Sequence, residues 1–329
     1  MFEELMDKYV AISVAGINTN QDINFTENIQ LKKSDEPELT CIRFTLNGKC
    51  LDIIGESIPK EILRKNKSCE WESLPLELLE EYVEDYLMDE GFFQITKLVD
   101  AINICKKEPC QIYEQFFYDG FSVSDDIWEK PSEKFFHEIQ GCTIEKKDLG
   151  VILPIWKRLL DSYDEFPNFN YKKYWWLIAS EYFERYPNSS FISDQLIDLM
   201  IALESLLSGH NDKSEMRYRF SQRSSLFLFH KYQLNPKQIQ KIVKEMYDMR
   251  SKIVHGSASL RSSETEFIKI EGNKISLDHA VNILREIVRL ILFEAILKYS
   301  NISKDKFLEE IDSIWFNDKD NSKIKPVNY

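Results

Sequence analysis

The second half of the chain is a run of helix-length segments separated by capping and stop residues, and this pattern limits the fold more than any other feature. An aromatic-rich segment from Tyr171 to Tyr186 ends at Pro187, and an apolar segment at helical spacing ends at Ser208-Gly209. Side-chain caps predict where the helices start. The caps are Ser193, Ser214, Asn235 followed by Pro236, Ser276 and Ser303. Consecutive helices with short connections predict an all-α up-and-down bundle.

The length of 329 residues predicts two domains. We expect an α+β domain over residues 1–160, the helical bundle over residues 161–316, and a polar tail over residues 317–329. From Phe191 to the end the chain has 21 basic and 19 acidic residues, which leaves 21 basic and 36 acidic residues before it. The charge is therefore +2 in the later part and −15 in the earlier part. A nucleic-acid site is disfavoured in the first half and allowed in the second.

The sequence predicts a cytoplasmic protein without a membrane span. The most apolar stretch, Ala280 to Tyr299, carries Arg285, Glu286, Arg289 and Glu294, so we expect a buried amphipathic helix there. The first residues are acidic where a secretory signal needs Lys or Arg. The six cysteines are then expected to be reduced thiols, and their spacing favours no metal site, so no cofactor is predicted.

The sequence of the first half predicts both strands and helices, and it does not indicate a function for this half. Segments 40–46 and 49–54 flank Asn47-Gly48, a dipeptide typical of a two-residue hairpin turn. Tyr9 to Ile17 is a further strand candidate, and Pro75 to Glu90 has helical spacing. Segments 111–118 and 135–144 are ambiguous between strand and helix. A sensor or regulatory role is one hypothesis for this half, and mimicry of nucleic acid or binding of a basic protein is another.

One segment of the second half carries the elements of a chemical site: Tyr247-Asp248-Met249-Arg250-Ser251-Lys252-Ile253-Val254-His255-Gly256. Arg250 and His255 are five residues apart, or about 140° around a helix, so they do not share a face. Ser251 and His255, four apart, do. Gly256 is a natural C′ residue and would place His255 in the last turn.

These residue types suit the cleavage of RNA. A histidine that titrates near neutrality can move the proton of a 2′-hydroxyl or of the leaving 5′-oxygen. A guanidinium can hold the phosphate and stabilise its charge in the transition state. Because the internal 2′-oxygen is the nucleophile, such a reaction needs no metal. The spacing alone is weakly specific, and the alternative is a surface arginine beside a histidine that only caps the helix.

The segment resembles the HEPN superfamily of helical-bundle ribonucleases, and in particular its Apea-like branch. The resemblance covers about Ser190 to Leu297 and is carried by three blocks in order. These are Leu199 to Leu207, Lys213-Ser214-Glu215 leading into Arg223, and Tyr247 to Gly256. It implies a metal-independent endoribonuclease that works as a homodimer through the bundle, with both copies contributing to one cleft.

The resemblance also implies residue roles. Arg250 would contact the scissile phosphate and His255 would be the acid and base. Ser251 stands where the family usually has Asn, His or Asp, and would contact RNA or orient a neighbour. Glu204 matches the acidic residue of the second helix; its role would be to pair with Arg250 or Arg223, or to form an internal structural salt bridge.

Further RNA contacts are left open between two interpretations. Arg223, Arg219 and Arg217 form either a solvated basic face or a track for phosphates. Tyr247 either stacks on a base or packs in the core. His230 and His279 are assigned structural roles.

By this resemblance we expect an RNA-cutting effector of a prokaryotic antiviral defence or toxin system, with a tRNA loop as one target by analogy. A protein trigger or inhibitor would bind the acidic first domain. The rival hypothesis is a non-catalytic HEPN module that dimerises or holds RNA, while the N-terminal domain binds a protein partner. A third hypothesis is that the acidic first half is the active part, which mimics nucleic acid or binds a basic protein.

Overall fold

The computed structural model describes residues 9–15, 17–32, 39–66, 70–118, 123–124, 141–163, 173–186, 189, 191–209, 215–256, 267–270 and 273–314. The chain forms two compact units, Met1–Trp156 and Lys157–Tyr329. A small sheet with helices makes up the first, and the second is mostly helical. The expected polar tail, the cap Ser214 and most of segment 135–144 lie outside the described residues.

A six-stranded antiparallel sheet in the order β3-β4-β5-β1-β6-β7 forms the first unit's framework. A separate parallel pair joins β2 to β8. The strands are β1 Tyr9–Ala15, β2 Ile17–Asn18, β3 Ile23–Asn24, β4 Ile29–Lys32, β5 Leu39–Thr45, β6 Gln111–Tyr118, β7 Val123–Ser124 and β8 Cys142–Thr143. The strands expected near residues 9–17 and 40–46 are confirmed, and the ambiguous segment 111–118 is a strand.

Alternating apolar residues place the core on one face of this sheet. Val10 pairs with Phe44, and Ile12 pairs with Ile42. On the other side of β5, Leu31 of β4 also pairs with Ile42. All five side chains are buried. Because strand side chains alternate between faces, a shift of one residue in this register would expose the whole set.

The first unit also contains helices between β5 and β6 in the chain. They are α1 Gly48–Ser57, α2 Lys60–Lys65, α3 Leu76–Tyr86 and α4 Phe92–Cys105, with a π-helical turn Leu87–Gly91 between the last two. Helix α5, Leu149–Tyr163, contains the boundary between the units. The helix expected from residue 75 is confirmed, since the predicted stripe residues Leu79, Val83 and Leu87 are buried.

The hairpin predicted at Asn47-Gly48 is wrong, because this dipeptide begins helix α1. The Asn47 side chain accepts a hydrogen bond from the backbone N–H of Cys50 at 3.0 Å, as a helix N-cap does. Leu51 and Ile54 are buried, whereas Ile53, which a strand pairing would have placed inward, is 54% exposed. Apolar burial therefore follows the helical period, and the asparagine satisfies a helix end rather than a turn.

Gly91 lies where the π-helical turn approaches the sheet. A Cβ atom at this position would stand 2.8 Å from Val10 Cγ1 and 3.0 Å from Phe44 Cδ1. Its backbone is helical, with φ −62° and ψ −46°, so space rather than conformation requires the glycine. The missing side chain lets the turn touch the centre of the sheet.

We predict that Gly91→Ala lowers the free energy of unfolding by about 1–3 kcal/mol, because the added methyl overpacks a fully buried contact. Urea unfolding of the full chain measures this. The control is Gly150→Ala in α5, where a Cβ meets nothing within 4 Å. There we expect unchanged or slightly raised stability. Equal stability of the two variants would contradict the close approach.

Among its described residues, the second unit consists of helices and a β-hairpin. The helices are α6 Leu177–Arg185, α7 Ile192–Leu207, α8 Met216–Tyr232, α9 Pro236–Val254, α10 Leu277–Tyr299 and α11 Lys304–Ile314. The hairpin joins β9 Phe267–Ile270 to β10 Asn273–Ser276. Helix α9 packs against α7, α8 and α10, and α11 packs against α8.

Most of the predicted helix ends are confirmed by local hydrogen bonds. The Asn235 side chain accepts from the N–H groups of Lys237 and Gln238, with Pro236 at the first helical position. Ser276 and Ser303 cap α10 and α11 in the same way. The predicted cap at Ser193 is wrong: the N-cap of α7 is Phe191, two residues earlier, and the helix begins at Ile192.

Helix α10 is the buried amphipathic helix expected from the sequence. Arg285, Arg289 and Glu294 are buried along with its apolar residues. Arg289 reaches Glu286 through two hydrogen bonds of 2.7 and 2.8 Å. Glu294 accepts from the Tyr232 hydroxyl at 3.1 Å and from Lys298 at 2.9 Å. Among the described residues, no helix is both long and apolar enough to cross a membrane.

Candidate functional site

Helix α9 carries the predicted motif and has two distinct faces. Its buried face holds apolar residues at helical spacing, namely Ile239, Ile242, Val243 and Met246. At 100° per residue, Arg250 falls on the side of these residues and His255 on the opposite side. The packing of the apolar face therefore decides the directions of both motif residues.

Arg250 is directed toward α7. Its side chain is half-buried, and its Nε atom is buried without a hydrogen-bond partner among the described residues. Burial raises the pKa of the Glu204 carboxyl on α7, and the positive charge of Arg250 opposes that rise. Of the two arginines that the sequence allowed as partners of Glu204, Arg250 is the one whose charge acts on this carboxyl, although no hydrogen bond joins the two side chains.

His255 is the exposed C-cap of α9. Its backbone N–H donates to the Ser251 carbonyl at 3.1 Å, and the Gly256 N–H donates to the Ile253 carbonyl at 3.0 Å. Gly256 has φ +69°, the left-handed conformation that ends many helices and that glycine adopts without strain. The helix end predicted from the sequence is confirmed.

Ser251 and Tyr247 are both half-buried neighbours of the motif. Ser251 lies one turn before His255 on the same face. The ring centroid of Tyr247 is 6.2 Å from that of Phe220 on α8, with an angle of 51° between the planes. Of the two interpretations of Tyr247, packing against the core is the one that this contact favours.

Arg223 does not lie on a basic surface, so neither interpretation of it as a solvated face or a phosphate track is correct. The side chain is 7% exposed. Its Nε and Nη2 donate to the two carboxylate oxygens of Asp312 on α11 at 2.9 and 2.8 Å. Its Nη1 donates to the Leu207 carbonyl at 2.7 Å. The guanidinium thus ties the end of α7 and helix α11 to α8.

The other two arginines of α8 have different surroundings. Arg217 is exposed and forms an ion pair with Asp248, the residue next to Tyr247 on α9. Arg219 is half-buried. Of the three arginines proposed as a basic face, Arg217 alone is exposed, and its charge is shared with a carboxylate.

The sequence alone does not identify Asp312, because this residue lies 89 positions from its partner Arg223 and belongs to no motif. A row of lysines along α9 was also missed, although their spacing in the sequence is that of one helix face. Of the two histidines assigned structural roles, His279 is half-buried. His230 is exposed and lines a cavity of about 310 Å³ with aromatic side chains that include Tyr299 and Phe307.

Comparison of the chain with protein-family models, with curated proteins and with solved structures finds no match in any of the three. Within the described residues, no group of three or more His, Cys, Asp or Glu side chains could hold a metal ion. The likeness to HEPN proteins therefore rests on the three sequence blocks alone.

We predict that Asp312→Ala lowers the free energy of unfolding by about 1–3 kcal/mol, because it removes two hydrogen bonds from a buried guanidinium. The Asp312 side chain is 51% exposed, so solvent weakens its attraction to the guanidinium. Glu309→Ala, on an exposed position of the same helix, should change stability by less than about 0.5 kcal/mol. Affinity for RNA should be unchanged in both variants. An Asp312→Ala variant that keeps full stability but loses RNA binding would show that Arg223 and Asp312 belong to an RNA-binding surface.

The Glu204 carboxyl predicts a pH dependence. Because its pKa is raised on folding, it binds a proton more tightly in the folded chain than in the unfolded one. Its contribution to the free energy of unfolding therefore falls as the pH rises from the ordinary value of 4.5 through the raised one. Glu204→Gln should lack this fall, so the variant gains stability relative to the wild type across that window.

Urea unfolding at closely spaced pH values measures the difference. Arg250→Gln provides the second arm, since loss of the opposing positive charge should raise the pKa of Glu204 further and extend the window to higher pH. Parallel curves for the wild type and Glu204→Gln would show that the carboxyl does not titrate differently in the folded chain.

Proposed function

We propose that this chain is a metal-independent endoribonuclease of the HEPN type, with an up-and-down bundle as its catalytic domain. The proposal rests on the different surroundings of the two motif residues, Arg250 and His255, on α9. The arginine has a buried Nε without a partner among the described residues and acts by its charge on the carboxyl of Glu204, while the histidine is exposed at the helix end. An anion clamp and a mobile proton carrier need these two kinds of surroundings respectively.

In the proposed reaction, an imidazole of His255 takes the proton of a ribose 2′-hydroxyl. The 2′-oxygen attacks the adjacent phosphorus, and the bond from phosphorus to the 5′-oxygen breaks. A protonated imidazole gives its proton to that leaving oxygen. The products are a 2′,3′-cyclic phosphate and a 5′-hydroxyl, so no water and no metal ion enters the step. Arg250 holds the phosphate while negative charge develops on its oxygens.

A homodimer fits this chemistry better than one chain does. Arg250 and His255 point to different sides of α9, so a single copy offers one proton carrier without a phosphate clamp directly beside it. Two copies related by a two-fold axis present the same surface to each other. The proposed cleft would contain two copies of His255, one as base and the other as acid.

Glu204 has a positioning role in this proposal. The negative charge of its carboxylate would attract the Arg250 guanidinium and leave donors of that planar group to face a phosphate. Ser251, one turn before His255, would orient the imidazole or contact RNA.

By analogy with Apea-like HEPN proteins, the biological role would be that of an effector in antiviral defence or a toxin system, with the acidic first unit receiving a protein trigger or inhibitor. The exposed acids along α3 support such a partner with a basic surface; they include Glu77, Glu81, Glu84 and Asp85. A tRNA loop remains the target suggested by analogy.

The test is incubation of the full-length protein with total RNA and with tRNA in excess EDTA. We expect cleavage by the wild type, with fragments that end in 2′,3′-cyclic phosphate. His255→Ala should lower the rate by at least about 100-fold, since the proton transfers are lost. His230→Ala, at another exposed histidine, is the matched control and should cleave normally. Arg250→Lys should fall between the wild type and Arg250→Ala, because the charge stays while the planar fork is lost.

Full activity of His255→Ala would contradict the assigned acid and base. An absolute need for added Mg²⁺ would contradict the metal-independent reaction. Absence of cleavage by every form together with tight RNA binding would instead support the non-catalytic module that holds RNA.

A further inference from the structure

A row of lysines runs along the solvent-facing side of α9. Lys237, Lys241 and Lys244 follow each other at intervals of four and three residues, and Lys252 continues the row two turns later. Lys237 and Lys252 are exposed, and the other two are partly exposed. At 100° per residue all four lie within about 80° of one another, on the side opposite the buried apolar face. We call this row the lysine stripe.

The stripe ends at the candidate catalytic histidine. His255 lies three residues after Lys252 and, on the helical projection, in line with Lys237. The distance along the axis from Lys237 to Lys252 is about 22 Å at 1.5 Å per residue. A chain of negative charges laid along the stripe would therefore be led to the exposed imidazole.

Among the described residues of α9, acidic side chains on this face are fewer than the lysines. Asp248 lies within the stripe, but the Arg217 guanidinium from α8 pairs with it. Glu245 is half-buried at the edge of the stripe on the helical projection. Counted over the described residues of α9, the four lysines exceed Glu245 and the paired Asp248, so the charge that the helix contributes to this face is positive.

An exposed aromatic ring accompanies the stripe. Tyr218 on α8 is 44% exposed, and the Nζ atom of Lys244 lies 5.4 Å from the centre of its ring. An exposed aromatic residue beside a line of positive charges is typical of surfaces that bind single-stranded nucleic acid. There the charges follow the backbone and the ring stacks on a base.

We propose that the lysine stripe and Tyr218 form the track that binds a single-stranded RNA segment and leads its backbone to His255. The direction toward a scissile bond rests on the proposed function, whereas the binding itself does not. The track replaces the arginine face of α8 considered from the sequence, since Arg223 is buried and Arg217 is paired.

The test measures binding without cleavage. Full-length His255→Ala is titrated into a fluorescein-labelled 12-nucleotide single-stranded RNA between 50 and 200 mM salt, and the anisotropy is recorded. Lys237→Gln, Lys241→Gln and Lys244→Gln are then combined in that background. Because three positive charges that would bind phosphates are then absent, we expect the slope of log affinity against log salt to fall by about 2 and the affinity at 50 mM salt to fall at least about tenfold.

The matched control carries Lys60→Gln, Lys65→Gln and Lys306→Gln, three exposed lysines on other helices that change the net charge equally. The control should keep the affinity and the salt slope. A control that weakens binding as much as the stripe variant would show an effect of net charge alone and overturn the track. Absence of RNA binding by the parent would overturn it as well.

Tyr218 supplies a second measurement that net charge does not affect. Tyr218→Ala should weaken RNA binding by about 5-fold to 100-fold, and Tyr218→Phe, which keeps the ring, should bind normally. Equal binding of polyglutamate, without dependence on Tyr218, would assign the stripe to an acidic protein and overturn the RNA proposal. If the wild type cleaves RNA but the stripe variant binds normally, the track fails while the proposed function stands. If the wild type binds RNA through the stripe but never cleaves it, the track stands and the proposed function fails.

Discussion

Four apolar side chains of α9 are buried against the neighbouring helices, and this burial sets the direction of every other residue on the helix. Transfer of such side chains out of water contributes about 1.5–3 kcal/mol each, far more than a surface charge contributes. The helix therefore cannot rotate to suit its polar residues. Arg250 is carried toward Glu204, and the lysines and His255 are carried toward solvent.

The parts of the fold that depend on neighbouring residues could be predicted from the sequence. Asn235 with Pro236, Ser276, and the ending at Gly256 are local devices, in which a side chain or a glycine meets backbone groups a few residues away. The hairpin prediction at Asn47-Gly48 was wrong for the same local reason, because an asparagine before a glycine serves a tight turn and a helix N-cap equally well. Only the helical burial of Leu51 and Ile54 distinguishes the two.

The parts that depend on distant residues could not be predicted. The sequence allowed two arginines as partners of Glu204. Arg223 is instead bound by Asp312, 89 positions away, and only the charge of Arg250 acts on Glu204. No periodicity in the sequence predicts the pairing of Arg223 with Asp312, because this pairing depends on where α11 packs on α8. The motif was thus visible in the sequence, while its supporting residues and the burial of its arginine required the assembled helices.

The two ends of α9 are both held, by the Asn235 cap at the start and by the left-handed Gly256 after the last turn. A deletion of one residue between Ile239 and His255 would turn everything after it by 100° relative to the buried face. It would move the histidine off the lysine stripe, whatever residues surrounded the gap. In related chains the number of residues in this segment should therefore vary less than their identities, and changes in length should collect in the connections on either side.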